Sequence, residues 1–146
     1  MDKNEAMQRL TAIEKEAVEL KKMINSPVPV TERIKTFSDA CMDIGVDEQA
    51  FNNKFCGHDN HIIKHAQMII IADALNEGWT PDWNNDNEYK WYPCFNMKSE
   101  FGFDGTYSVS WNAGSAVCSR LCFKTDKLAK YAGTQFTEIY KGFMVI

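Results

Sequence analysis

Trp79-Thr80-Pro81-Asp82-Trp83-Asn84-Asn85-Asp86-Asn87-Glu88-Tyr89-Lys90-Trp91-Tyr92-Pro93-Cys94-Phe95-Asn96-Met97 is the stretch around which the chain is organised. It holds three of the four tryptophans and two of the five tyrosines, so the largest apolar groups available for burial are concentrated here. Thr80-Pro81-Asp82 reads as a turn, and Asn84-Asn85-Asp86-Asn87 as a loop whose side chains hydrogen-bond their own backbone. Residues 88–97 alternate roughly and are rich in aromatics, which predicts a strand; Pro93 places it at an edge or a bulge.

Downstream, residues 101–111 contain Asp104-Gly105 as a hairpin-type turn, followed by Tyr107, Val109 and Trp111 on one face of a second strand. Asn112-Ala113-Gly114-Ser115 is the next turn, and a third strand runs from Ala116 or Val117 to Lys124. Thr125 and Asp126 start a last helix with the apolar stripe Leu128, Ala132, Phe136, Ile139 and Phe143.

Upstream, a helix over residues 61–76 carries Ile62, Ile63, Ala66, Ile69, Ile70, Ala74 and Leu75. So wide an apolar surface predicts a central helix, covered on more than one side, with Gly78 ending it in the left-handed position. Before it, Thr36 as N-cap and Asp39 as reciprocal cap predict a short helix, with Phe37 and Cys41 facing inward and Gly45 as its stop. Residues 47–59 show no clear period and read as loop. Helices, then a meander of about three antiparallel strands, then a helix covering one sheet face make an α+β fold.

At the N-terminus, Ala6, Leu10, Ile13, Ala17, Leu20 and Ile24 step by four, three, four, three and four. This is the 3.5-residue period of a coiled-coil seam. With Leu10, Ala17 and Ile24 at a and Ile13 and Leu20 at d, a parallel dimer pairs Arg9 with Glu14 and Glu16 with Lys21, opposite in sign both times. Self-association through Leu10, Ile13, Ala17, Leu20 and Ile24 is expected, the plain alternative being a helix packed on its own domain. Ser26-Pro27-Val28-Pro29-Val30 breaks the helix. The expected organisation is an oligomerisation helix at 1–25, a linker at 26–35 and a single α+β domain at 36–146.

A hydrophobic fraction of 45% supplies a real core, and the net charge of −4 comes without a long run of either sign. Neither a nucleic acid polymer nor a membrane is an expected partner. No signal-peptide pattern opens the chain, and no apolar run approaches the ~20 residues that a spanning helix needs. Together with five cysteines that match no disulfide framework, this predicts a cytoplasmic protein with reduced thiols.

Chemistry-bearing constellations are sparse. Cys56, His58, His61 and His65 are the sharpest, since His61 and His65 share a helix face and the other two lie close enough to complete a zinc site. Their spacing matches no finger pattern, and solvated histidines at a helix start are the common alternative. Cys118 and Cys122, on one side of the third strand, read as core filling rather than as a redox pair. No serine or cysteine nucleophile motif, phosphate loop or rankable carboxylate pair is present, so no catalytic residue, metal or cofactor is expected and the chain is read as a non-enzyme. The hairpin segment Tyr107, Ser108, Ser110, Trp111, Asn112 and Ser115 has the rigid aromatics and small polar groups of an adaptable recognition surface. Alternatively, its aromatics face the core and its serines face water.

Ala74-Leu75-Asn76-Glu77-Gly78-Trp79-Thr80-Pro81-Asp82-Trp83-Asn84-Asn85, Glu88-Tyr89-Lys90-Trp91-Tyr92-Pro93, Ser119-Arg120-Leu121-Cys122-Phe123-Lys124, and then Ala129, Tyr131-Ala132-Gly133, Gln135-Phe136 and Ile139-Tyr140-Lys141 resemble a family of small uncharacterised proteins of gut-bacterial phages and prophages. The resemblance runs from about Thr31 to the end and brings no catalytic residues; the histidine cluster lies outside its motifs. It implies a mobile-element setting in the host cytoplasm and a diversified contact surface over residues 105–115.

The expected function is a non-enzymatic binding protein that engages a host partner through the hairpin, at Tyr107, Ser110, Trp111 and Asn112. A second expectation is a sponge for a small signalling ligand such as a nucleotide of host defence, with Trp79, Trp83 and Tyr92 stacking on its base. A phage structural protein is the third.

Overall fold

The computed structural model describes residues 3–24, 27–97, 106–115 and 117–145. Its α-helices are α1 (Lys3–Ile24), α2 (Val30–Arg33), α3 (Phe37–Ile44), α4 (Glu48–Phe55), α5 (Asn60–Asn76), α6 (Asp126–Gln135) and α7 (Thr137–Met144). Two strands, β1 (Lys90–Phe95) and β2 (Thr106–Trp111), lie between α5 and α6. The fold is mixed α+β, and among the described residues no helix is long and apolar enough to cross a membrane.

Helix α5 is the centre. Met68, Ile71, Ala72, Ala74 and Leu75 are all buried, with α3 and α7 packed along it and α6 between it and the sheet. Gly142 lets α7 approach closely: a Cβ there would lie 3.0 Å from Lys64 Cγ and 3.1 Å from Asn60 Nδ2. The left-handed exit from α5 takes two residues, Glu77 (φ 49°) and Gly78 (φ 80°). Glu77 is held there by an ion pair with Arg33 at 2.6 Å, and the same guanidinium also pairs with Asp43.

Helix α3 follows the residue pattern closely. Thr36 accepts from the Asp39 N–H, Asp39 accepts from the Thr36 N–H, and Gly45 closes the helix at φ 70°. The Lys35 and Thr36 N–H groups also hold the Asp39 carboxyl below its ordinary range.

Four expectations need correction. Residues 47–59 are not all loop: Asp47 caps α4 by accepting from the N–H groups of Gln49 and Ala50, and Phe51 is buried. The segment read as linker contains α2 and two core residues, Val30 and Ile34. The third strand reduces to one bridge, Phe123 with Trp91, so the sheet has two strands among the described residues. The last helix breaks at Phe136, where the Thr137 hydroxyl donates toward the Gly133 and Thr134 carbonyls. The Asp104-Gly105 turn lies outside the described residues.

From Met7 to Lys21 every side chain of α1 is exposed. Leu10, Ile13 and Leu20 are 52%, 62% and 52% exposed, and the side chain of Ile24 lies outside the described set.

Candidate functional site

The site grows out of the C-terminal end of α5 and is built around Lys90. This lysine is fully buried, which is tolerable only if its ammonium finds partners. It donates to the carbonyls of Asp82, Asn85 (3.3 Å) and Glu88 (2.8 Å) and forms an ion pair with Glu88 at 3.4 Å. The Trp83 ring lies 5.3 Å away on the other side, a cation–π contact. The polar loop therefore folds over a positive charge instead of hanging free.

Glu88 closes the same loop. It accepts from the Asp82 N–H at 2.8 Å and from the Trp79 indole at 3.4 Å. The Asp82 N–H, with help from Lys90 and Trp79, holds its carboxyl below the ordinary range. Asp82 accepts from the Asn84 N–H and Asn85 from the Asn87 N–H, at 2.9 and 3.0 Å, as the composition predicts. Asn76 ties the base of the site: its amide donates to the Cys122 carbonyl at 2.8 Å and accepts from the Lys124 N–H at 3.0 Å.

The hairpin sits beside this loop. Lys90, Tyr92 and Cys94 pair with Trp111, Val109 and Tyr107, so these six share one face. The Trp91 N–H and carbonyl both bond Phe123; by alternation, Lys90, Tyr92 and Cys94 turn their backbone groups toward β2. Pro93 points its missing donor away from β2, which is why a proline fits here. The same alternation turns the backbone groups of Thr106, Ser108 and Ser110 to the outer edge of β2, with which no described strand pairs.

Tyr107 and Trp111 are 49% and 51% exposed, and Tyr89 is also exposed. A hydrogen bond with the Cys94 thiol pushes the Tyr107 hydroxyl above its ordinary range. Asn112 donates to the Asp86 carbonyl at 2.6 Å and fastens the end of β2 to the loop. Ser108 donates to Asp126 at the start of α6, and Ser110 is half-buried on the Trp91 side of the sheet.

The other expected contact residues are more enclosed. Trp79 and Trp83 are half-buried, with Trp83 donating to Ser119 at 2.6 Å. Tyr92 is only 5% exposed and its hydroxyl has no hydrogen-bond partner among the described residues. It lines a cavity of about 90 Å³ with Met68, Phe95, Leu121 and Tyr140, to which neither Trp79 nor Trp83 contributes.

Of the paired cysteines, Cys122 fills the core, its thiol pushed up to about 11 by burial, whereas Cys118 is exposed at φ 66°. His65 stacks on Phe143 at 5.0 Å and His58 meets Phe55 edge-on at 5.7 Å. Among the described residues, no three His, Cys, Asp or Glu side chains gather to hold a metal ion.

Three features lay outside the reading of the sequence. Lys90 and Asn76 look like solvent-facing residues until their distant carbonyl partners are known. An apolar groove of about 410 Å³, lined by Phe51, Phe55, Ala66, Ile69 and Ile70, depends on α4, whose one turn of apolar spacing, Phe51 to Phe55, is too short to declare a period.

No protein-family model matches the chain, and comparison with curated proteins and with solved structures finds no match.

Proposed function

We propose that the chain is a phage- or mobile-element-encoded, non-enzymatic binding protein that engages a host protein in the cytoplasm through its hairpin and self-associates through α1 as a coiled coil. The observation that carries this reading is the outer edge of β2. Among the described residues no strand pairs with it, so a short strand offers its backbone donors and acceptors, flanked by two half-exposed aromatics, Tyr107 and Trp111. Rigid aromatic anchors beside a free strand edge are what strand addition to a sheet uses: main-chain hydrogen bonds give affinity and neighbouring side chains give selectivity. The Lys90-centred loop, fastened by Asn112, supports this edge at its Trp111 end and keeps the anchors in place before binding, which lowers the entropic cost of docking.

The test is capture from a lysate of the bacterial host. Wild-type protein retains a host protein; Tyr107→Ala combined with Trp111→Ala loses it, with circular dichroism and melting temperature checking that the fold survives the loss of two half-buried rings. Retention unaffected by the two substitutions would defeat the reading. So would a rise in melting temperature with cyclic or linear nucleotides, because a ligand at 100 times its Kd stabilises by about 2.7 kcal/mol.

A further inference from the structure

Helix α1 presents an apolar seam that, from Leu10 to Leu20, no other described part of its own chain covers. Met7 to Lys21 is exposed throughout, and the helix is unbroken over 22 residues. Its charges show what covers the seam. Arg9 is paired with Glu5 one turn away at 2.9 Å. Glu14, Glu16 and Lys21 have no oppositely charged residue three or four positions away in either direction, so no pair within the helix satisfies them. They flank the seam, Glu16 on one side and Glu14 and Lys21 on the other.

We propose that α1 pairs with α1 of a second copy of this chain as a parallel, in-register, two-stranded coiled coil. This deepens the self-association in the proposed function and does not depend on the hairpin having a partner. In the parallel arrangement Leu10, Ile13, Ala17 and Leu20 each meet their own counterparts. Arg9 then faces the partner's Glu14 and Glu16 faces the partner's Lys21, twice each by symmetry.

The antiparallel arrangement with full overlap sets Leu10 against Leu20 and Ile13 against Ala17. It then brings Glu14 to the partner's Glu14 and Glu16 to the partner's Glu16, like charges across both flanks. Sliding by one heptad to escape this costs the seam itself: in one direction Leu20 meets Lys3, in the other Leu10 overhangs the end of the partner helix. The flanking charges therefore select orientation by repulsion as well as attraction. The parallel pair leaves both α+β bodies at the same end, so two hairpins face a target together and their binding reinforces.

The experiment is sedimentation of the intact protein across a concentration series, with melting temperature as a check on the fold. Wild type passes from monomer to dimer as concentration rises. Lys21→Glu and Glu16→Lys each weaken the dimer, about tenfold for two symmetric pairs turned repulsive, and the double variant restores it. In the antiparallel arrangement Lys21 lies opposite Met7, so Lys21→Glu is nearly silent and the double variant restores nothing; that result overturns the proposal. A wild type that stays monomeric at every concentration overturns it as well, as does a dimer that survives removal of residues 1–26.

Discussion

Helices α1 and α5 are the two longest of the described elements, with 22 and 17 residues, and the longer one is exposed at every residue from Met7 to Lys21. Both carry apolar residues at helical spacing. In α5 they spread over several faces, through runs such as Ile69-Ile70-Ile71, and α3, α6 and α7 each find a surface to cover. In α1 Leu10, Ile13, Ala17 and Leu20 follow one narrow line edged by charges, with Met7 and Val18 exposed outside it. The breadth of the apolar surface, more than its amount, separates the helix that is packed into the body from the one that is left exposed.

Leu75→Ala opposes that contrast most severely. Leu75 is fully buried, and truncation there removes about 2–5 kcal/mol, read as a lower midpoint in urea at unchanged slope. A cost near zero would mean that α5 is not the centre of the core.

Lys90→Met carries the comparison to polar groups. It keeps much of the side-chain volume but strips the Asp82, Asn85 and Glu88 carbonyls of their donor, and about 2–3 kcal/mol is lost. Quenching of tryptophan fluorescence by acrylamide then rises as Trp79 and Trp83 loosen. Unchanged quenching and stability would show that the loop holds itself without the ammonium.

Ile13→Ala has the smallest effect. With the protein dilute enough to be monomeric, stability moves by less than about 0.5 kcal/mol, as for an exposed position. A loss comparable to that of Leu75→Ala would mean that α1 packs on the body, and the contrast between the two helices would vanish.

What was legible in the sequence was local. Thr36, Asp39 and Gly45 announce α3 because a capping box and a left-handed stop need only neighbours within one helix. The turns at Asp82 and Asn85 follow from the reach of an Asx side chain. The alternation of Tyr107, Val109 and Trp111 gave their common face, which the register with Cys94, Tyr92 and Lys90 bears out. What escaped depended on distant parts of the chain. Phe123 bonds Trp91 at a single bridge although residues 117–124 read as a strand; the next hydrogen-bonded pair in that register would set Leu121 against Pro93, which has no N–H to donate, while Asn76 of α5 holds the Cys122 carbonyl and the Lys124 N–H on the opposite edge. The stripe from Leu128 to Phe143 keeps a helical period across Phe136, so the break there is invisible to periodicity. A lysine at position 90 gives no sign, in one dimension, that three carbonyls will converge on it.

Arg33 follows closely on the prolines after α1, and its guanidinium grips Asp43 at the end of α3 and Glu77 at the exit of α5. One guanidinium thus clamps together the segment that precedes α3, the end of α3 and the corner from which the aromatic loop departs, so a single substitution at Arg33 would release three separate parts of the chain at once.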